Sequence, residues 1–227
     1  YNGLSRAASG FTATGLVNGE TTAVLTGVSV SGSGTNVGTY TTTPSGNDVN
    51  YTLTFVNGTM TINKALLTVT ATNDNKTYNG LAYSGGNGVS YSGFVNSETS
   101  AVLSGSVNYG GTSQGAKNAG TYVITPSGLS SGNYNISYTD GTLTVAKANA
   151  TVTAASDIYV YNGLSRSASG FTATGLVNGE TTAVLNGVSV TGGGTNAGTY
   201  TTTASGIDSN YTLSFVAGAM TIQPKSL

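Results

Sequence analysis

The chain has 227 residues, of which 7% are charged, a net charge of −1, and no His, Cys or Trp. That balance, with no basic cluster, lacks the electrostatic footprint needed to bind nucleic acid or an anionic membrane surface. Without histidine a serine nucleophile has no ordinary base, and without cysteine no disulfide stiffens a thin core.

Ordinary soluble proteins are roughly 25% charged. Here Gly, Ser, Thr and Asn take the place of charge. Low complexity of this kind often signals disorder, but disordered chains are poor in aromatic and β-branched residues. Fourteen Tyr and five Phe recur at matched positions, so the sequence reads as folded modules. No apolar run approaches the ~20 residues that span a bilayer, so membrane insertion is not expected. No signal peptide occurs within these residues, and an export signal is expected outside them.

Taken in order, Tyr-Asn-Gly stands at Tyr1, Tyr78 and Tyr161. Gly-Leu-Val-Asn-Gly-Glu-Thr-Thr-Ala-Val-Leu follows at 15–25, recurs unchanged at 175–185 and returns in drifted form at 93–103. Such periodicity marks a tandem array. The repeats fall at 1–64, 65–147 and 148–227. The first is expected to lack its first strand, because Tyr78 and Tyr161 each follow a candidate strand and Tyr1 does not. At the other end Leu227 falls in register with Leu67, where a further first strand is expected to start. That register predicts that these residues begin and end inside a repeat, leaving an open or partner-filled sheet edge in the first.

The 15–25 stretch is the one helix candidate. Asn18 or Gly19 is placed to cap a turn, with Glu20 near its positive end and Ala23, Val24 and Leu25 toward the core. At under three turns it reads as a single helical turn. Residues 38–44, 120–126 and 198–204 read as strands entered from glycine, the first two ended by Pro44 and Pro126. Apolar residues then alternate on both sides of Asn57-Gly58, Asp140-Gly141 and Ala217-Gly218. This predicts two-residue hairpins pairing Phe55 with Met60, Tyr138 with Leu143 and Phe215 with Met220. Residues 64–71 and 147–154 begin the following repeats with another strand after a short handover.

Several motifs have chemical counterparts. Residues 128–132 fit G-x-S-x-G, but no histidine exists to take the serine proton. Residues 192–197 fit G-x-G-x-x-A, yet a strand and not a helix follows. Residues 85–90 approach a calcium nonapeptide with Ser90 where an Asp ligand belongs. Asp74 with Asn73 and Asn75 offers one carboxylate, which makes a poor cation site. No spacing singles out a Lys–Asn–acid trio for an isopeptide staple. No catalytic, metal or cofactor residue is therefore assigned. Tyr83, Tyr91 and Tyr109 are peculiar to the middle repeat and are the candidates for a ligand-binding platform. Tyr40, Tyr122 and Tyr200, with Tyr51, Tyr134 and Tyr211, recur in all repeats and read as core caps with a polar tip.

The Tyr-Asn-Gly triplets, Gly-Leu-Val-Asn-Gly-Glu, Asn-Ala-Gly-Thr-Tyr (118–122 and 196–200) and the closing Asn-Tyr-Thr-Leu…Gly-x-Met-Thr-Ile together resemble the MBG and YDG repeats of large bacterial adhesins. The triplet departs from the Tyr-Gly-Asp or Tyr-Asp-Gly of many relatives, which removes an acidic side chain. The resemblance covers essentially the whole chain. It implies β-grasp-like modules strung many times in surface-exposed or secreted, filamentous haemagglutinin-like proteins, with no catalytic residues to carry over.

The expected fold is mainly β. Tandem small β-grasp-like or β-sandwich-like modules, with at most one short helical turn each, are arranged as a rod. The expected function is a structural stalk, spacer or fibre segment of a bacterial extracellular adhesin or filament, at the cell surface and without catalysis. The alternative is a glycan- or host-protein-binding adhesin module with the middle repeat as receptor. Expected partners are neighbouring repeats, other copies by lateral or end-to-end association, and a glycan or host surface; nucleic acid is not among them.

Overall fold

The computed structural model describes residues 1–226, so the strand start expected at Leu227 lies outside the described residues. The protein is mainly β, with 49% of residues in strands and 4% in short 3₁₀ turns. It divides into two compact units. One holds Tyr1–Ala71, Val89–Asn108 and Pro126–Thr139, the other Thr72–Gly88, Tyr109–Thr125 and Asp140–Leu227.

The second unit contains a whole third repeat, which shows the module most clearly. One sheet has Ala148–Ala154 at its centre, antiparallel to Phe171–Thr174 and parallel to Tyr211–Val216. The other runs in the order Asp157–Val160, Gly218–Gln223, Gly198–Gly206, Val188–Thr191. The central strand alternates Ala148, Ala150, Val152 and Ala154 inward with Asn and Thr outward, as a strand with one buried face requires. Its small side chains pack on Gly198–Gly206 and Gly218–Gln223, where Thr202, Ala204, Met220 and Ile222 are buried. The chain passes from the first sheet to the second through Ala155-Ser156. Thr202 Oγ1 donates to the Ala155 carbonyl (2.8 Å) and the Ala219 amide to Ser156 Oγ (3.0 Å). Residues 148–160 thus form a β-arch, two consecutive strands in opposite layers.

The same unit carries Asp74–Thr77 parallel to Gly141–Ala146, which is antiparallel to the first half of Gly120–Ser130. In the first unit Ala65–Ala71 takes the central place, parallel to Tyr134–Thr139 and antiparallel to Val89–Ser92. Its Leu67 and Val69 are fully buried. Strands starting at Ala65 and Ala148 follow the sequence alternation.

The hairpins do not form. Tyr134–Thr139 pairs with Ala65–Ala71 and sets Tyr138 against Val69 in place of Leu143. Phe215 faces Val152, and Met220 faces Tyr200 and Asp157. In the first repeat residues 51–57 are not a strand, and Met60 pairs with Tyr40. Gly58, Asp140 and Ala217 lack the positive φ that a type I′ turn demands. Alternation fixes which face of a strand is buried, and a pair of strands in opposite layers satisfies it as well as a hairpin does. Nor does proline end its strand. Gly38–Gly46 runs on through Pro44, which stands opposite Val30, and Gly120–Ser130 runs through a buried Pro126. The ladder to Gly58–Ile62 has already ended at Thr42, so the missing amide hydrogen interrupts one ladder only.

One 3₁₀ turn per repeat, Thr22–Val24, Ser100–Val102 and Thr182–Val184, occupies the helix-candidate stretch. Its N-cap is Thr21, Thr99 or Thr181, not Asn18 or Gly19. Of the three residues expected in the core only Leu25 is buried, while Ala23 and Val24 are exposed.

The first repeat contrasts with the third. Residues 11–14 and 171–174 are both Phe-Thr-Ala-Thr, yet only the latter form a strand; residues 51–56 likewise stay outside regular structure while Tyr211–Val216 is a strand. Met220 is fully buried and its counterpart Met60 only half-buried. Met220→Ala should therefore cost about 2–4 kcal/mol, the usual range for a core truncation, and Met60→Ala less than about half of that. Amide exchange of Gly218–Gln223 and Gly58–Ile62 under native conditions checks both values; equal losses would contradict the contrast.

Candidate functional site: the tyrosine–glutamate joints

The chain has three glutamates, Glu20, Glu98 and Glu180, one in each copy of the 15–25 stretch. Each is delivered by a tight turn. Asn18-Gly19, Asn96-Ser97 and Asn178-Gly179 all have φ between +51° and +75°. The amide of Glu20, Glu98 or Glu180 closes the turn on the carbonyl of Val17, Val95 or Val177 at 3.0 Å. Positive φ at both central residues defines type I′, and Asn is the side-chain-bearing residue that adopts it most readily.

The Glu98 carboxylate accepts from two phenols, Tyr134 and Tyr1, each at 2.5 Å. Glu180 likewise accepts from Tyr211 and, at 2.5 Å, from Tyr78. The first tyrosine of each pair belongs to the glutamate's own repeat and also takes the Val95 or Val177 amide on its hydroxyl oxygen, at 3.0 Å. The second comes from the Tyr-Asn-Gly of the preceding repeat. The two rings meet edge to face, 5.5 Å apart at 80° and 5.4 Å at 81°, a favourable aromatic geometry. The backbone nitrogen of Tyr1 or Tyr78 donates to the carbonyl of Asn63 (2.6 Å) or Ala146 (2.7 Å), which fixes the ring's approach.

An amide latch accompanies each joint. Asn133 Oδ1 accepts from the Val37 amide and its Nδ2 donates to Asn36 Oδ1; Asn210 makes the same pair of bonds with Ala119 and Asn118. Lys64 and Lys147 donate to the carbonyls of Ser131 and Asp208. Gly3 and Gly80 complete the fit, for a Cβ on either would lie 2.6 or 2.9 Å from the Cβ of Asn96 or Asn178. Glu20 has Tyr51 as its tyrosine partner among the described residues.

Phenols that donate to a carboxylate resist ionisation. The bond to Glu98 and then burial push Tyr1 up to about 12, and Glu180 and burial do the same for Tyr78. Tyr134 and Tyr211 are raised by burial first and the shared carboxylate second. Tyr51 is raised by its bond to Glu20.

Of the three tyrosines expected to form a binding platform, Tyr91 lies in the first unit and Tyr83 and Tyr109 lie in the second. Tyr91 packs on Phe94, which stacks edge to face on Tyr134 and so extends the Glu98 joint. Tyr83 and Tyr109 belong to the other unit. The Tyr83 hydroxyl donates to Asp74 (2.8 Å), and burial followed by that bond raises it to about 12. The Tyr109 ring lies over Gly86, where a Cβ would come within 2.4 Å of it. Asp74 thus serves Tyr83 and the Asn75 amide. Ser130 sits at the end of strand Gly120–Ser130, without the strand-to-helix elbow a nucleophile needs. The glutamates are a signal legible in the sequence, since every Glu in the chain falls at one repeat position, although Glu20 reads there as a charge at the positive end of a helical turn and not as an acceptor for a phenol.

Facing sheets linked by arches, with one joint chemistry repeated between successive modules, define a tandem β-repeat protein. The chain belongs to the MBG domain family (YGX type), whose model matches residues 2–61, 67–144 and 150–221. This is a non-catalytic type of domain. No curated protein matches the chain.

Two outcomes follow from the joints. Tyr1 and Tyr78 hold their protons in the folded state up to about 12, whereas an unfolded chain loses them near 10. The joints therefore stabilise fully below about pH 10 and lose that contribution as pH rises through about 12. Urea midpoints and tyrosinate absorbance should fall and rise together in that window. Glu98→Gln, which offers a single neutral acceptor oxygen, should cost about 1–2 kcal/mol and return part of the tyrosine titration toward pH 10.

Gly80 and Gly163 provide a second comparison, since both have positive φ but only Gly80 faces a neighbouring repeat. Gly163→Ala should cost about 1 kcal/mol for the backbone alone, and Gly80→Ala about 1 kcal/mol more for displacing Asn178. Equal melting shifts would show that the glycine plays no part in the joint.

Proposed function

We propose that the protein is a structural stalk or spacer segment of a bacterial extracellular adhesin or filament, located at the cell surface. One observation carries this reading. The contact between a repeat and its successor is the same built object twice over, a shared carboxylate, an asparagine latch and a lysine on a carbonyl. Modules that evolve as independent receptors need no such standard coupling, whereas a linear array does. MBG membership and the nearly uncharged, hydroxyl- and amide-rich surface support the same reading. The counterparts of the coupling groups recur at the remaining repeat positions, where Tyr161 is 38% exposed and Glu20 accepts from Tyr51.

Binding of a glycan or host protein at the middle repeat has weaker support, because Tyr83 is committed to Asp74, Tyr91 to the aromatic cluster and Tyr109 to Gly86. The stalk reading expects an elongated particle, about 100 Å long on the scaling of three modules of roughly 12 Å radius of gyration. Small-angle scattering tests this, and a single compact globule would refute it. A glycan array run on the same material should remain blank; a specific, saturable hit lost on Tyr83→Ala or Tyr109→Ala would favour the receptor reading.

A further inference from the structure

Most edge strands of the sheets turn hydroxyls to solvent. Ser90 and Ser92, Thr172 and Thr174, and Ser189 and Thr191 are all exposed on such strands. Asp157–Val160 departs from this pattern. It is an edge strand with Gly218–Gln223 as its one neighbour, and its outward residues are Ile158, 71% exposed, and Val160, 55% exposed. The counterpart in the middle repeat, Asp74–Thr77, holds the same edge place and presents Asn75 and Thr77. Charged side chains or proline commonly blunt an exposed edge, and neither outward position of Asp157–Val160 carries one. The backbone on that side is open as well. The Tyr161 amide donates to the Gln223 carbonyl (2.8 Å). Along a parallel ladder every second residue bonds to a given neighbour, so Asp157 and Tyr159 bond on the same side as Tyr161. Ile158 and Val160 therefore turn their N–H and C=O groups away from the sheet. Joint formation at the tyrosine that follows does not cover such an edge: Tyr78 is bonded to Glu180, and Asn75 and Thr77 remain exposed.

We infer that Asp157–Val160 docks on the same strand of a second copy, antiparallel about a two-fold axis at Tyr159. The backbone phase selects this register. Ile158 of one copy stands opposite Val160 of the other, and each such pair exchanges both of its main-chain hydrogen bonds. The two apolar side chains of a pair lie on one face and meet as β-branched cross-strand neighbours. Each Asp157 falls at an opposite end of the pairing, which keeps like charges from facing one another. An axis at Ile158 instead would set Val160 against Ser156 and leave its apolar surface unmatched. The occupant is a second copy because the strand is its own complement, as an isologous contact requires. No other edge strand among the described residues presents two successive apolar residues outward, so within this chemistry only the same segment offers the match. A pairing of four residues on each side buries well under the roughly 1,200 Å² of a stable complex. The contact is therefore weak between single chains and gains where several such strands lie side by side. This association goes beyond the stalk reading and does not rest on it.

The test is sedimentation and amide exchange of the full chain from about 10 μM to about 1 mM, the weak end of specific association. A reversible monomer–dimer equilibrium is expected. Exchange at the Ile158 and Val160 amides should slow at least about fivefold at the high concentration, with Asn75 and Thr77 unchanged. Ile158→Lys with Val160→Lys, both at exposed positions, should abolish the dimer and the protection. Ile158→Asn with Val160→Thr, which copies the residues of Asp74–Thr77, should weaken association at least about tenfold. Asn75→Lys with Thr77→Lys should change neither readout. Unaltered exchange along Ala148–Ala154 identifies the folded variants, and the Asn/Thr pair decides if the Lys pair fails to fold. A chain that stays monomeric at every concentration would overturn the proposal, as would a dimer indifferent to the changes at Ile158 and Val160. Growth beyond a dimer would also overturn it, because a two-fold contact closes on itself.

Discussion

Everything in the module depends on one strand that is bonded on both sides. Ala65–Ala71 and Ala148–Ala154 each hold a parallel partner from the end of the repeat and an antiparallel partner from its beginning. The flanking segments have no other ladder to join, and their backbone groups are satisfied as strand only through this centre. Residues 11–14 and 171–174 isolate that dependence, since composition, neighbours in sequence and propensity are the same and the outcome differs. Strand formation here is a property of the partner more than of the segment. The central strand also sets the thickness of the core. Its inward Ala and Val side chains are small enough for Met220 and Ile222 of the opposite layer to be buried over them.

A protein with so few charges can give each one a specific task. In a densely charged surface a carboxylate finds many partners, and most surface ion pairs contribute little. Glu98 and Glu180 instead meet two phenols each, donors that carry no charge and need no counter-ion, so the bonds are short and charge-assisted without a buried cation. The same tyrosines supply apolar area and an edge-to-face contact, so packing and hydrogen bonding select the same geometry. The array then shares stability between neighbours, which compensates for modules near the lower size limit of independent folding and without disulfides.

Much of this fold is legible in the sequence, and the illegible part has one cause. Strands at Ala65–Ala71, Ala148–Ala154 and around Tyr40 and Tyr122 are legible in the sequence, and the short helical turn falls within the stretch that repeats most strictly. Partners are a different matter. Alternation around Asn57-Gly58 looked like a hairpin because a period of two specifies a buried face and leaves the neighbouring strand unspecified. Local chemistry carried a warning: Ala217 resists positive φ, and Asp140 adopts none. The type I′ turn that Asn-Gly promises does exist, but at Asn18-Gly19 and Asn178-Gly179, where it aims a glutamate. At the joints Tyr134 and Tyr211 are legible as amphipathic caps, while Tyr1 and Tyr78 are legible only as part of a repeated triplet. That one glutamate joins a tyrosine of its own repeat to one of the previous repeat was not, because the two phenols are 133 positions apart for Glu180 (Tyr211 − Tyr78) and equally 133 for Glu98 (Tyr134 − Tyr1).

Chain connectivity converts these local contacts into mechanical coupling. Two residues separate Gly58–Ile62 from Ala65–Ala71, and one separates Gly141–Ala146 from Ala148–Ala154. Connections that short leave no flexible linker, and their lysines are tied down by hydrogen bonds to Ser131 and Asp208. The elements they join are also the best anchored. In the third repeat Ala148–Ala154, the first strand, and Gly218–Gln223, the last, are both interior strands of their sheets. A load entering the repeat through either end therefore meets a strand bonded on both sides, and not an edge strand that can be peeled away one hydrogen bond at a time. Placing the entry and exit strands at sheet centres ties both ends of a small, disulfide-free module into its two sheets.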